Sequence, residues 1–253
     1  MSLPTFDLTG RTALVTGANT GLGQAIAVGL AAAGADIVAV GRSSVDETAE
    51  IVARSGRRLH FVQADLSQPG AAGAAAQAAV EAAGSVEILV NNAGVIRRAD
   101  ALDFSEADWD LVMDTNLKSA FFLSQALARG WVAAGRGGKI INIASMLSFQ
   151  GGVRVASYTA SKSGLAGLTR LLCNEWAGRG INVNAIAPGY FVTNNTEALR
   201  ADEGRSREIL ARIPAGRWGH PSDLAGAAVF LASAASDYVH GSILAVDGGW
   251  LSR

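Results

Sequence analysis

Arg11-Thr12-Ala13-Leu14-Val15-Thr16-Gly17-Ala18-Asn19-Thr20-Gly21-Leu22-Gly23 is the stretch that decides the fold. Arg11 to Thr16 reads as a strand, the glycines as a tight turn, and Gln24 to Ala33 carries apolar residues at helical spacing. A plain glycine-rich connection between strand and helix is the bland reading. Strand, glycine turn and helix in this order also form the context in which a dinucleotide pyrophosphate is held. The glycines let the backbone approach the phosphates, and the free N–H groups of the helix N-terminus stabilise their charge.

The alternation continues outward. Further strands read as Ile37–Val40, Leu59–Gln63, Ile88–Asn91, Lys139–Ala144, Ile181–Ala187 and Ser242–Val246, with helical stretches at Glu106–Ala134, Ser157–Ala177 and Ser222–Ala234. Short apolar strands alternating with helices predict an α/β fold: one Rossmann-type, doubly wound parallel sheet with helices on both faces. No repeat or linker divides the chain, so residues 1–253 read as one domain. Ala71–Ala83 suits a helix but offers little bulk for packing. Residues 190–212 are polar, lack a clear strand and follow a strand end, which makes them a candidate substrate lid.

Composition narrows the function classes. A net charge of −1 makes neither nucleic acid nor an anionic membrane an expected partner. The chain shows no signal-peptide layout and no apolar run long enough to span a bilayer, so a cytoplasmic location is expected. Cys173, the single cysteine, lies in an apolar segment and reads as a buried structural thiol. No His, Cys, Asp and Glu grouping has metal-ligand spacing, so no metal is expected. His220, between Gly219 and Pro221, reads as a helix-start residue.

Ser145 through Lys162 carries the chemistry. Tyr158 and Lys162 are four residues apart, which on a helix places them one turn apart on one face. An ammonium beside a phenol favours the phenolate, so a lowered pKa is expected for Tyr158, suiting it to acid or base work. Ser145 ends the run Lys139–Ala144, where open α/β sheets place their ligands.

Together with the order and separation of Thr16-Gly17-x-x-x-Gly21-x-Gly23, Asn91-Asn92-Ala93-Gly94, Asn116, Ser145, Tyr158-x-x-x-Lys162 and Pro188-Gly189, the chain resembles the short-chain dehydrogenase/reductases across essentially its whole length. That resemblance implies hydride transfer between NAD(P) and an alcohol or ketone by a homotetramer. It casts Tyr158 as proton donor or acceptor and Ser145 as hydrogen-bond partner of the substrate oxygen. Lys162 would hold the nicotinamide ribose and lower the Tyr158 pKa, and Asn116 would anchor a relay water. The same resemblance implies cofactor contacts at Gly17, Asn19, Thr20, Gly21, Leu22, Gly23, Asp65, Leu66, Asn91, Ala93, Gly94, Tyr158, Lys162, Pro188, Gly189 and Thr193. Asp65 reads equally as a turn-forming residue, and Asn92 as structural.

Cofactor choice depends on the end of the second strand, where Gly41-Arg42-Ser43-Ser44 replaces the acidic residue that binds free ribose hydroxyls. Arg42 suits a 2′-phosphate and inclines the reading from NAD(H) toward NADP(H), although it could instead stack on the adenine of either.

A narrower resemblance is to the subgroup acting on keto-deoxy sugar acids of the 2-dehydro-3-deoxy-D-gluconate type, which serves the breakdown of unsaturated uronates. It is carried by Gly94-Val95-Ile96-Arg97-Arg98, by Ile143 to Arg154, by Ala187 to Thr196, by Arg212 to Trp218 and by Asp247-Gly248-Gly249-Trp250. The chain departs from the subgroup mainly near the second strand. A sugar acid needs a cation for its carboxylate and polar groups for its hydroxyls, so Arg97, Gln150, Arg154, Asn194 and Asn195 are candidate substrate contacts, with Arg98 as the alternative to Arg97. Surface charge or an interface ion pair is the plain reading of each arginine. Trp218 and Trp250 could line the site or pack an interface, with interface favoured for Trp250. Reduction of a 3-oxoacyl thioester is the alternative activity, and a non-catalytic dinucleotide-binding regulator the remote one.

Overall fold

The computed structural model describes residues 4–253, so the first three residues of the expected 1–253 domain lie outside the described residues. Its strands are β1 (Thr12–Thr16), β2 (Asp36–Gly41), β3 (Leu59–Gln63), β4 (Ile88–Asn91), β5 (Gly138–Ile143), β6 (Ile181–Pro188) and β7 (Ile243–Val246). They form one seven-stranded sheet in the order β3-β2-β1-β4-β5-β6-β7. Every pairing is parallel, which bears out the expected fold class.

Alternation along the strands divides the core between two faces. Ala13, Val15, Ile37, Ala39, Ile88 and Val90 point one way, toward Ile26 and Leu30 of α1 (Gly21–Ala32) and Leu231 of a helix near the carboxyl end. Leu14, Val38, Val40 and Leu89 point the other way. There they meet α3 (Ala71–Ala83) and α5 (Ser119–Ala133), which follow α2 (Asp46–Arg54) and α4 (Glu106–Met113) in the chain. Because both faces are covered, these strands read as unbroken apolar runs. Each fully buried Leu or Ile contributes roughly 1.5–3 kcal/mol relative to exposure. The alanine-rich segment is a helix: Ala72, Ala75, Ala76 and Ala79 form its buried stripe, and the larger Leu14, Val40, Leu66 and Leu127 fill the space beside it.

Two expected helices differ in detail. The stretch Glu106–Ala134 is interrupted between α4 and α5 by a π-helical turn, Asp114–Lys118. Inserted turns of this kind displace the side chains they carry, and this one carries Asn116. The stretch expected at Ser222–Ala234 begins as a 3₁₀ turn, Pro221–Leu224, and continues as a helix over Ala225–Ala232. His220 starts it: the Asp223 carboxylate accepts a hydrogen bond from the His220 N–H at 2.8 Å, and Pro221 occupies the first position. Between them runs α6 (Ala156–Trp176), and the segment after β6 holds α7 (Glu197–Ala201) and α8 (Glu203–Arg212). Among the described residues no helix is long and apolar enough to cross a membrane.

Candidate active site

Strand order reverses at β1, whose neighbours are β2 on one side and β4 on the other, and the carboxyl ends of β1 and β4 open a crevice there. The loops on its two sides are tied together. Thr16 Oγ1 accepts from the N–H groups of Asn92 and Ala93 at 2.9 and 2.8 Å. Asn92 Nδ2 donates back to the carbonyls of Thr16 and Gly17 at 2.9 and 3.2 Å. Gly17 and Gly21 have φ of 67° and 58°, a region other residues rarely enter. A Cβ on Gly23 would lie 2.1 Å from the Gly17 carbonyl oxygen, so only glycine lets α1 start this close to the turn. Thr20 supplies no side-chain cap to α1, which leaves the first-turn N–H groups available to an anion.

A cavity of about 330 Å³ runs along this crevice, lined by Gly17, Asn19, Thr20, Gly21, Leu22, Gly23, Ala93, Gly94, Pro188, Gly189, Thr193 and Asn194. A second cavity, of about 160 Å³, shares Gly17, Asn19, Ala93 and Gly94 with it and adds Arg42, Asp65 and Leu66. The two cavities meet at the glycine turn, and their donors and glycines fit a dinucleotide. Asp65 also serves the turn it was suspected of: its Oδ1 accepts from the Ser67 N–H and hydroxyl at 3.1 and 2.8 Å, which holds its pKa below the ordinary carboxylate value. Asn91 differs from its neighbours. It is buried in the sheet, with Nδ2 donating to Asn142 Oδ1 at 2.9 Å and Ser124 Oγ at 3.0 Å, and it lines neither cavity.

The reacting groups stand at the end of this groove. Ser145 follows β5, and its Oγ accepts from the Leu147 N–H at 3.1 Å. Tyr158 and Lys162 lie on α6, one turn apart. The Lys162 ammonium does not bond the phenol: its Nζ donates to the Ile143 carbonyl at 2.6 Å and lies 5.6 Å from the centre of the Tyr158 ring. The expected lowering of the Tyr158 pKa is not what this arrangement produces. Burial raises it, opposed by the Ser145 hydroxyl and the charge of Arg98. Burial also brings Lys162 down to about 8. Asn116, on the π-helical turn, clamps Val95 after β4: Oδ1 accepts from its N–H at 2.8 Å and Nδ2 donates to its carbonyl at 2.9 Å. Nδ2 also reaches Ser161 Oγ at 3.3 Å, which links β4 to α6.

Beyond Ser145 and Tyr158 lies a third cavity, of about 380 Å³. Ser145, Tyr158, Gly189 and Asn195 line both it and the crevice. Gln150 lines it as well, accepting from Trp250 Nε1 at 3.2 Å, and so does Arg98, whose guanidinium donates to the Asn195 carbonyl at 3.1 Å. Arg97 and Arg154 are not in its wall. Arg97 pairs with Asp108 at 3.0 Å, and Arg154 pairs with Asp100 at 3.2 Å on an exposed loop where its φ is 63°. Trp250, favoured above for an interface, is instead buried inside the subunit. It packs with Met146, Ile209 and Ile213 and lies edge-on to Tyr190 at 4.8 Å. Long-range packing onto the 190–212 segment covers it, a contact that a position near the chain end does not reveal.

Arg205, Glu208 and Arg212 of α8 also line this cavity and were not singled out from the sequence. The signal was available: positions 205, 208, 209 and 212 share one helical face, with buried Ile209 among them. Among the described residues no group of three or more His, Cys, Asp or Glu side chains comes together as a metal site.

A glycine-lined crevice at the switch point of a parallel sheet, with a hydroxyl, a phenol and an ammonium in its wall, is the site of an oxidoreductase of the Rossmann class. The family model described as enoyl-(acyl carrier protein) reductase matches residues 17–251. The chain belongs to the short-chain dehydrogenase/reductase family, and is an NAD(P)-dependent oxidoreductase acting on a CH–OH group. It is 63% identical over 253 residues to a 2-dehydro-3-deoxy-D-gluconate 5-dehydrogenase of Dickeya dadantii, covering 100% of both chains. A solved Agrobacterium tumefaciens structure with bound NADP, described as a candidate 2-deoxy-D-gluconate 3-dehydrogenase, is 63% identical with a TM-score of 0.94 and covers 99% of this chain and 100% of that one. A gluconate 5-dehydrogenase from Burkholderia cenocepacia, in complex with NADP and tartrate, is 42% identical with a TM-score of 0.92 and covers 98% of each chain.

Proposed function

We propose that this enzyme moves hydride between NADP(H) and a keto-deoxy sugar acid of the 2-dehydro-3-deoxy-D-gluconate type. One observation carries the reading: Ser145 and Tyr158 stand in the wall shared by the nucleotide crevice and a separate cavity of about 380 Å³, a size suited to a small ligand. That cavity holds three arginines, Arg98, Arg205 and Arg212, against one carboxylate, Glu208, which favours an anionic substrate. The relatives named above support the same substrate class and NADP.

When bound, the nicotinamide would supply or accept a hydride at the substrate carbon. Tyr158 gives the proton to the substrate oxygen in reduction and receives it in oxidation, while the Ser145 hydroxyl orients that oxygen. Lys162, held by the Ile143 carbonyl, presents its charge 5.6 Å from the centre of the Tyr158 ring and would hold the nicotinamide ribose. Asn116 keeps the β4 loop in register with α6. Arg42, in the wall of the cavity of about 160 Å³ and with no carboxylate within ion-pair distance among the described residues, would hold the 2′-phosphate. Residues 190–212 act as the lid. Cytoplasmic location and assembly as a homotetramer complete the reading; the family resemblance and the apolar side chains exposed on α4 and α5, Trp109 and Phe122, support the assembly.

The test is a direct comparison of a keto-deoxy sugar acid with an acetoacetyl thioester, each with NADPH and NADH. Higher kcat/KM for the sugar acid is expected. Preference for the thioester, the activity to which the family model's description is nearer, would overturn the reading.

A further inference from the structure

The sugar-acid reading leaves open which cation receives the carboxylate, and the cavity wall distinguishes its three arginines. Arg98 is committed: it donates to the Asn195 carbonyl at 3.1 Å, and its charge acts on Tyr158 at the reacting end. Arg205 already has a carboxylate partner, Glu208, 2.9 Å from its guanidinium. Arg212 has neither a carboxylate nor a hydrogen-bond acceptor within reach among the described residues. Instead its guanidinium lies over the Trp250 ring, 3.9 Å from the ring centroid.

We infer that Arg212, held over Trp250, is the carboxylate seat of the substrate cavity and so sets the preference for acids. Trp250 is a rigid platform, 4% exposed, its indole N–H bonded to Gln150 and its edge against Tyr190. A guanidinium held over the ring by its charge keeps its N–H groups, unbonded among the described residues, for a two-point bond to a carboxylate. The ring contact also restricts this exposed side chain, which lowers the freedom it would otherwise lose on binding. Arg212 is in the last turn of α8, the segment placed as the lid, so the charge that recognises the substrate lies on the element that covers it. Arg212 comes from α8, whereas Ser145 follows β5 and Tyr158 lies on α6, so an extended acid in this cavity would turn one end to each.

This inference rests on the sugar-acid reading, and the experiment separates the two. Steady-state kinetics are measured with the keto-deoxy acid and with its uncharged C1 amide, on the wild type, Arg212→Gln and Arg212→Lys. The wild type should prefer the acid. Arg212→Gln should reduce that preference roughly 30-fold or more, mainly through the KM of the acid, as expected for losing a charge-assisted two-point bond. Arg212→Lys should recover only part of it, because an ammonium keeps the charge without the planar fork. If Arg212→Gln weakens acid and amide equally, or leaves the preference intact, the assignment fails. A wild type that ignores both sugar compounds but reduces the thioester would instead overturn the underlying reading, before any variant is compared.

Discussion

Lys162 holds a cationic group in a site that would suit a neutral one, and the consequence is measurable as a pH dependence of stability. The side chain is 4% exposed and its pKa is pushed down by burial from 10.5 to about 8. The unfolded chain restores the ordinary value. A fall of roughly 2.5 at about 1.36 kcal/mol per pH unit means that burying the ammonium costs about 3 kcal/mol at pH 7, where both states are protonated. Between about pH 8 and pH 10.5 the unfolded chain binds more protons than the folded one, so this contribution makes stability rise with pH in that window. Near pH 9.5 the folded lysine is mostly neutral and the unfolded one mostly charged, and the remaining cost is about 1.4 kcal/mol. Lys162→Met removes the titration and keeps the unbranched stem. Losing the bond to the Ile143 carbonyl adds an offset at either pH. The stability of Lys162→Met minus that of the wild type should therefore fall by about 2 kcal/mol between pH 7 and pH 9.5. Urea unfolding of both proteins at one fixed protein concentration measures it. Parallel curves for the two proteins would refute the reasoning, since the lysine would then titrate alike in the folded and unfolded states.

Three further substitutions probe the crevice. Tyr158→Phe should lower kcat by about 10²- to 10⁴-fold while cofactor still binds, as followed by quenching of protein fluorescence; turnover within tenfold of wild type would remove the tyrosine from proton transfer. Arg42→Ser should raise the KM for NADPH by roughly 10- to 100-fold and that for NADH far less, and an unaltered ratio of the two would take Arg42 away from the 2′-phosphate. Gly23→Ala drives a Cβ to 2.1 Å from the Gly17 carbonyl and 2.4 Å from Asn92 Nδ2. It should cost roughly 1–3 kcal/mol in thermal unfolding and raise the KM for either cofactor; an alanine variant with wild-type stability would show that the turn has room the geometry denies.

Much of the architecture was legible because it is written in local patterns. Apolar runs bounded by glycine and polar turns marked each strand to within about a residue, as with Lys139–Ala144 against the observed Gly138–Ile143. The glycine spacing at 17, 21 and 23 and the four-residue step from Tyr158 to Lys162 are likewise local, and helix and turn geometry turns them directly into a groove and a shared face. The π-helical turn under Asn116 was not legible, since the helical periodicity from Glu106 to Ala134 gives no sign that an extra residue is inserted.

Sequence alone determined the sheet, the nucleotide crevice and the identity of the groups placed at its end, because each depends on the spacing of residues close along the chain. Tertiary structure decided what those groups face. Burial, not the neighbouring ammonium, governs the Tyr158 pKa, and Lys162 bonds a carbonyl of β5. Arg97 and Arg154, adjacent in sequence to site residues, turn to Asp108 and Asp100. Arg212 and Trp250, 38 residues apart, meet over the cavity. Which charge finds a partner, and which is left free for a ligand, depends on contacts between distant segments, and local patterns carry no information about those contacts.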